Sequence, residues 1–293
     1  MIANDLEKDF IKIFKTNENM QRFFAPGRVN LIGEYTDLNG GHVFPCALSF
    51  GTYAIARRRA DTKVRLFSKN FEDKGIIEFD VNDLEFCKED DWANYPKGVI
   101  KIFKDVGFEI ENGMEILFFG NIPNGAGLSS SASIEMVTSM SLNTLFKLKA
   151  EMIEMIKLSQ KSENKFRGVN CGIMDQFAIG MGKKNHAILL DTNTLEYQYA
   201  PLELDGISII IANTNKRRGL ADSKYNERRS ECEAALNALK EELDITTLGD
   251  LSDEEFEDKK HLIHDEIQRK RAKHAVYENQ RTIKAFNALK NSD

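Results

Sequence analysis

GNIPNGAGLSSSAS, residues 120–133, joins two segments of different periodicity, and its reading decides the fold. Just before it, Met114, Ile116 and Phe118 alternate in GMEILFF, the period of a half-buried strand. Just after it, Ile134, Val137, Met140 and Leu145 keep to one face, which predicts a helix over 131–148. Glycine lets a backbone turn sharply and approach a ligand closely. A helix start exposes unpaired N–H groups at the positive end of its dipole, which suits a phosphate. Ser129, Ser130 and Ser131 add hydroxyls for phosphate oxygens or Mg²⁺. A P-loop is excluded, because no lysine lies between residues 120 and 146. The dinucleotide pattern G-x-G-x-x-G fails at Ser130, and the acid about twenty positions on, Glu151, opens a helix instead of closing a strand. Two readings remain: a glycine-rich connection capped by serine, or an anion site.

Upstream, residues 23–68 read as strands and turns, with NGGH (39–42) as a turn and GTYAIARRR and VRLFS as strands. The run Arg57–Arg58–Arg59 reads as a solvated strand end at the surface. Downstream, a helix is predicted over 151–164 and a strand at HAILLD (186–191). GISIIIANT (206–214) reads as a fully buried strand. Cys232, Leu236, Leu239 and Leu243 then step along one helix, and Val276, Asn279, Ile283 and Phe286 along a last one. A lone strand is not a sheet, so that of residues 206–214 needs neighbours.

With 293 residues, two lobes sharing a cleft are expected. Hydrophobic residues at 42% and charged residues at 29% suit a globular chain. The net charge of −6 disfavours nucleic acid as a partner. No apolar run approaches the roughly eighteen residues of a membrane span, and MIANDLEKDF has no signal-peptide core, so a cytoplasmic chain is expected. Cys46, Cys87, Cys171 and Cys232 are too scattered for a C-x-x-C pair and read as free thiols. His261 and His264, among charges and with no cysteine partner, read as a solvated helix face.

APGRVNLIGEYTDLNGGH (25–42) gathers Arg28, Glu34 and Asp37 in one turn-laden stretch. That is either an ion-pair cluster or a polyol site, since carboxylates accept hydroxyl donors bidentately. CGIMDQF (171–177) sets Asp175 among apolar neighbours, as a helix N-cap or a general base.

Taken together, the segments resemble galactokinases. PGRVNLIGEYTDLNGG resembles the galactokinase signature, and GNIPNGAGLSSSAS the ATP motif of the wider family of galacto-, homoserine, mevalonate and phosphomevalonate kinases. SENKF, CGIMDQ and NTNKRRGLADSKYNERRSECE match galactokinases in order and spacing. The resemblance implies a two-lobed α/β fold, with a mixed-sheet lobe over 1–200 and an incomplete lobe of helices on an antiparallel sheet over 201–293. It implies transfer of the γ-phosphate of ATP to the C1 hydroxyl of galactose, with ATP and Mg²⁺ required. Asp175 then resembles the general base and Arg28 the cation that steadies it and the phosphoryl group. Ser131 and Glu163 resemble the Mg²⁺ ligands. Gly125, Ala126, Gly127, Leu128, Ser129, Ser130 and Ser131 would wrap the triphosphate, with Ser68 a further nucleotide contact. Glu34, Tyr35, Thr36, Asp37, Gly172 and Tyr225 line up with galactose-contacting positions.

Two departures stand out. Tyr35 and Leu38 replace the residues of the family's usual E-H-T-D-Y, and nothing after Asn215 resembles its third, glycine-rich motif, as if the chain were cut short. The alternatives are a kinase of a related sugar such as N-acetylgalactosamine, a silent galactose and ATP sensor, or an inactive fragment.

Overall fold

Met114–Gly120 is a strand, as its alternation predicts, but it is buried on both faces through Phe118. One face is covered by a helix whose Leu6, Phe10 and Phe14 recur every fourth residue and pack on Leu117 and Ile55. Burying each such side chain is worth about 1.5–3 kcal/mol. The computed structural model describes residues 2–123, 125–213 and 221–291. Its elements begin α1 (Ile2–Phe14), β1 (Gln21–Asn30), β2 (His42–Val43), β3 (Pro45–Arg58), β4 (Lys63–Ser68) and β5 (Ile77–Asp80). Next come α2 (Asn94–Asp105), β6 (Met114–Gly120), α3 (Ser130–Phe146), α4 (Met152–Lys165), α5 (Met174–Gly180), β7 (His186–Asp191) and β8 (Tyr197–Pro201). The helices α6 (Ala221–Leu239), α7 (Asp253–Lys259) and α8 (Glu266–Asn291) follow. Among the described residues no helix is long and apolar enough to cross a membrane.

Two compact units divide the chain. The first holds residues 1–27, 48–169 and 175–181; the second holds 28–47, 170–174 and 182–293. In the first, β6 pairs antiparallel with β3 and parallel with β4, and β4 pairs antiparallel with β5. The helices α2, α3 and α4 pack against one another. In the second, β7 pairs antiparallel with β2 and β8, and its Ala187 pairs with Cys46 of β3. Phe44, Cys46, Ala187, Leu189 and Ala200 close on Phe286 of α8. A separate cluster of Leu239, Leu248, Phe256, Ile263 and Val276 joins α6, α7 and α8.

Two expectations are corrected. Residues 206–213 form no strand and, apart from the half-buried Ile211, lie exposed, with Ile207, Ile209 and Ile210 showing 64%, 38% and 89% of their surfaces. An apolar run becomes a strand only with a neighbour to pair its backbone, and the described residues from 221 onward are helices and turns. Thr214, and residues 215–220 of the motif beginning NTNKRRGL, lie outside the described residues. The arginine run is not a solvated end either. Arg57 and Arg59, joined by Arg65, converge on Glu115, which is 1% exposed, at 2.7, 2.6 and 2.7 Å. The β3–β6 register sets Arg57 opposite Glu115, a cross-strand pairing that the run by itself does not announce.

Candidate active site

In the first unit, β6 ends at Gly120 and α3 begins at Ser130. Gly125 and Gly127 take φ of +70° and +73°, the left-handed region that glycine enters without cost. Ser129 does so at +60° and is buried. Its hydroxyl makes no cap bond to α3. Instead Ser129 Oγ donates to Asp175 Oδ2 at 2.7 Å. The helix start, with Ser130 exposed and Ser131 half-buried in its first turn, thus has no side-chain cap from Ser129. Leu128 is buried and anchors the loop, and its carbonyl would lie 2.9 Å from a Cβ on Gly27. Ala126 is half-buried. Ser68 closes β4 beside the loop's first residue: its Oγ accepts from Asn70 N at 3.2 Å, and Asn70 bonds both backbone groups of Gly120.

Asp175 lies in the first turn of α5, followed by the fully buried Gln176. Gln176 Nε2 donates to Glu135 Oε2 at 3.1 Å and to Glu163 Oε2 at 2.9 Å. Burial holds the Glu135 carboxyl well above the usual range, and the charge of Glu163 adds to this. The Gln176 hydrogen bond works against that rise, whereas the charge of Asp175 reinforces it. The Glu135 carboxyl therefore feels the charge of two other carboxyl groups in this unit. Hydroxyl and carboxylate oxygens suit a divalent cation such as Mg²⁺, and Ser131 and Glu163 are of that chemical kind.

In the second unit, the segment 31–42 turns tightly. Gly33 takes φ of +98° and Tyr35 +66°. Thr36 is fully buried, its Oγ1 2.8 Å from the Gly33 carbonyl and 2.6 Å from that of His42, so its hydroxyl is spent on the loop. Asp37 Oδ2 accepts from Met174 N at 3.4 Å and lies against Gly172. Glu34 is exposed and accepts from Asn30 Nδ2 at 2.8 Å. The rings of Tyr35 and Tyr225 lie 5.4 Å apart, and the Arg228 guanidinium lies 5.3 Å from the Tyr35 ring. Arg28, half-buried on β1, belongs to this unit, whereas Asp175 belongs to the first.

Gln176, Glu135 and Glu278 are buried polar residues that the sequence pattern does not single out. The last is buried on α8 and accepts from Gly33 and Glu34 N–H. A signal for that helix was available: Asn279 stands on the same stripe as Val276 and Phe286, and a polar residue on an apolar face must find a partner.

A family model for the GHMP kinases N terminal domain matches residues 94–183, and one for the galactokinase galactose-binding signature matches residues 8–58. Over 293 residues the chain is 61% identical to a galactokinase of Clostridium acetobutylicum, covering 100% of this chain and 75% of that one. This chain belongs to the galactokinase family. Another galactokinase, from Bacillus subtilis, is 54% identical over 292 residues, with 75% of its length spanned. The crystal structure of Lactococcus lactis galactokinase complexed with galactose is similar with a TM-score of 0.93 and 47% identity, covering 99% of this chain and 74% of that one. Methanococcus jannaschii mevalonate kinase, at 16% identity and a TM-score of 0.55 over 85% of this chain and 80% of that one, shares the fold.

Proposed function

We infer that the chain transfers the γ-phosphate of ATP to the C1 hydroxyl of galactose, giving galactose 1-phosphate and ADP. The observation that carries this reading is the 2.7 Å bond from Ser129 Oγ to Asp175 Oδ2. It holds a carboxylate at the end of a glycine-serine loop that opens a helix, so a proton acceptor stands beside a phosphate cradle. Asp175 would take the proton from the sugar hydroxyl, and general-base help of this kind is worth about 10²–10⁴-fold. The loop 125–131 would hold the triphosphate by backbone N–H groups and hydroxyls, with Ser68 at its edge. Positioning and charge stabilisation do most of the work in phosphoryl transfer, and Arg28 would add positive charge toward the base and the phosphoryl group. Mg²⁺, when bound through Ser131 and Glu163, would neutralise phosphate charge.

Glu34, Tyr35, Asp37 and Tyr225 would meet the sugar, with Thr36 and Gly172 shaping the segment that presents them. A cytoplasmic location is proposed with this reading, because the reaction draws on ATP. ADP release with galactose, galactosamine or N-acetylgalactosamine tests the assignment. Turnover that favours galactose is expected; preference for N-acetylgalactosamine, or no sugar-dependent turnover, would replace it with one of the alternative readings.

A further inference from the structure

The segment that carries Glu34 and Asp37 is bonded within itself through Thr36 and Asn39, and is also held from outside. It has a left-handed non-glycine residue, Tyr35 at φ +66°, directly after a left-handed turn at Gly33. Such a conformation persists where the surroundings over-determine it. Two consecutive residues of α8 supply much of that support. Glu278, 9% exposed, accepts through one oxygen from Gly33 N at 3.0 Å and Glu34 N at 3.4 Å, and through the other from Arg281 Nε at 2.8 Å. Asn279, 2% exposed, grips the far end: its Oδ1 accepts from His42 N at 2.7 Å and lies 3.0 Å from His42 Nδ1, while its amide donates to Gly249 O at 3.0 Å. Gly249 N in turn donates to Asn39 O at 2.9 Å. The turn is thus tied at both ends to one helix, and His274, earlier on that helix, lies 2.9 Å from the Glu34 carbonyl.

We propose that Glu278 and Asn279 are positioning residues for the sugar: they fix the backbone of 33–42 so that Glu34 and Asp37 meet galactose preorganised. This rests on the functional reading above. Two hydrogen bonds to a charged acceptor set the N–H vectors of Gly33 and Glu34, and hence the direction of the next side chains. Preorganised ligands spare the sugar the cost of ordering the loop. The effect should fall on sugar binding, because Glu278 and Asn279 bond the segment that carries Glu34 and Asp37, and the glycine-serine loop belongs to the other unit.

The test is steady-state kinetics of Glu278→Ala, Glu278→Gln and Asn279→Ala, varying galactose and ATP in turn, with thermal unfolding of each protein. Glu278→Ala should raise the galactose KM about tenfold or more, the loss expected for a charge-assisted contact, with the ATP KM unmoved. Glu278→Gln, whose amide oxygen still accepts, should recover part of that loss. A lower unfolding temperature with both KM values at the parent's would overturn the positioning role and leave a structural one. A parent protein that turns over ATP with galactose, together with parent-like galactose KM in all three variants, would overturn the inference while sparing the functional reading. A parent that binds no galactose by calorimetry would overturn both.

Discussion

Gly172 and Asp37 approach so closely that a Cβ on residue 172 would lie 2.0 Å from Asp37 Oδ2 and 2.3 Å from its Cγ. The glycine is needed for want of space, and φ plays no part. Gly172→Ala should push the Asp37 carboxylate from its seat and raise the galactose KM by about tenfold, near 1.4 kcal/mol of binding. The ATP KM should stay where it is. Initial rates with each substrate varied in turn check this, and an unmoved galactose KM would remove Asp37 from the sugar site.

Glu115 makes a second, independent case. It is 1% exposed and holds Arg57, Arg59 and Arg65 together. Glu115→Leu would leave three partly buried guanidinium groups facing one another. Breaking a buried pair from one side costs about 3–5 kcal/mol, so the urea midpoint should fall sharply. A midpoint within error of the parent's would mean that the arginines swing out to solvent at no cost.

That cluster also shows what was legible in the sequence and what was not. The glycine-serine loop, the helix after it, the strand HAILLD and the two long C-terminal helices follow from periodicity and from turn residues, which are local properties. The arginine run looked solvated because its partner comes from another strand, and register is not written in either segment alone. The isoleucines at 207, 209, 210 and 211 read as a buried strand because composition reports what a segment tolerates; whether a neighbour pairs with it is a separate matter. At the candidate site, the segments 25–42 and 120–133 were legible as family motifs. Glu135, Gln176 and Glu278 were not, since a buried polar side chain has no periodic signature and is found only through its partner.

Glu135 predicts a pH effect. Burial, and next the charge of Glu163, raise its carboxyl well above the ordinary 4.5. Between that value and the raised one, the folded protein holds a proton that the unfolded chain has lost, so stability falls as pH rises through this window. Glu135→Gln removes the titrating group and keeps its shape, so the variant's unfolding free energy should decline less steeply from pH 4.5 upward. Urea unfolding of both proteins across the pH series measures the two slopes. Equal slopes would show that Glu135 is ionised in the folded protein.

Asp175, held by Ser129 at the end of the glycine-serine loop, is the proposed base for phosphoryl transfer to galactose. The most direct measurement is the rate of galactose 1-phosphate formation by Asp175→Asn beside the parent protein. The amide keeps the shape and can still meet the Ser129 hydroxyl, but it cannot take a proton. The parent should form the product, and the variant should be slower by at least about a hundredfold. A variant that keeps more than about a tenth of the parent's kcat would contradict the assignment.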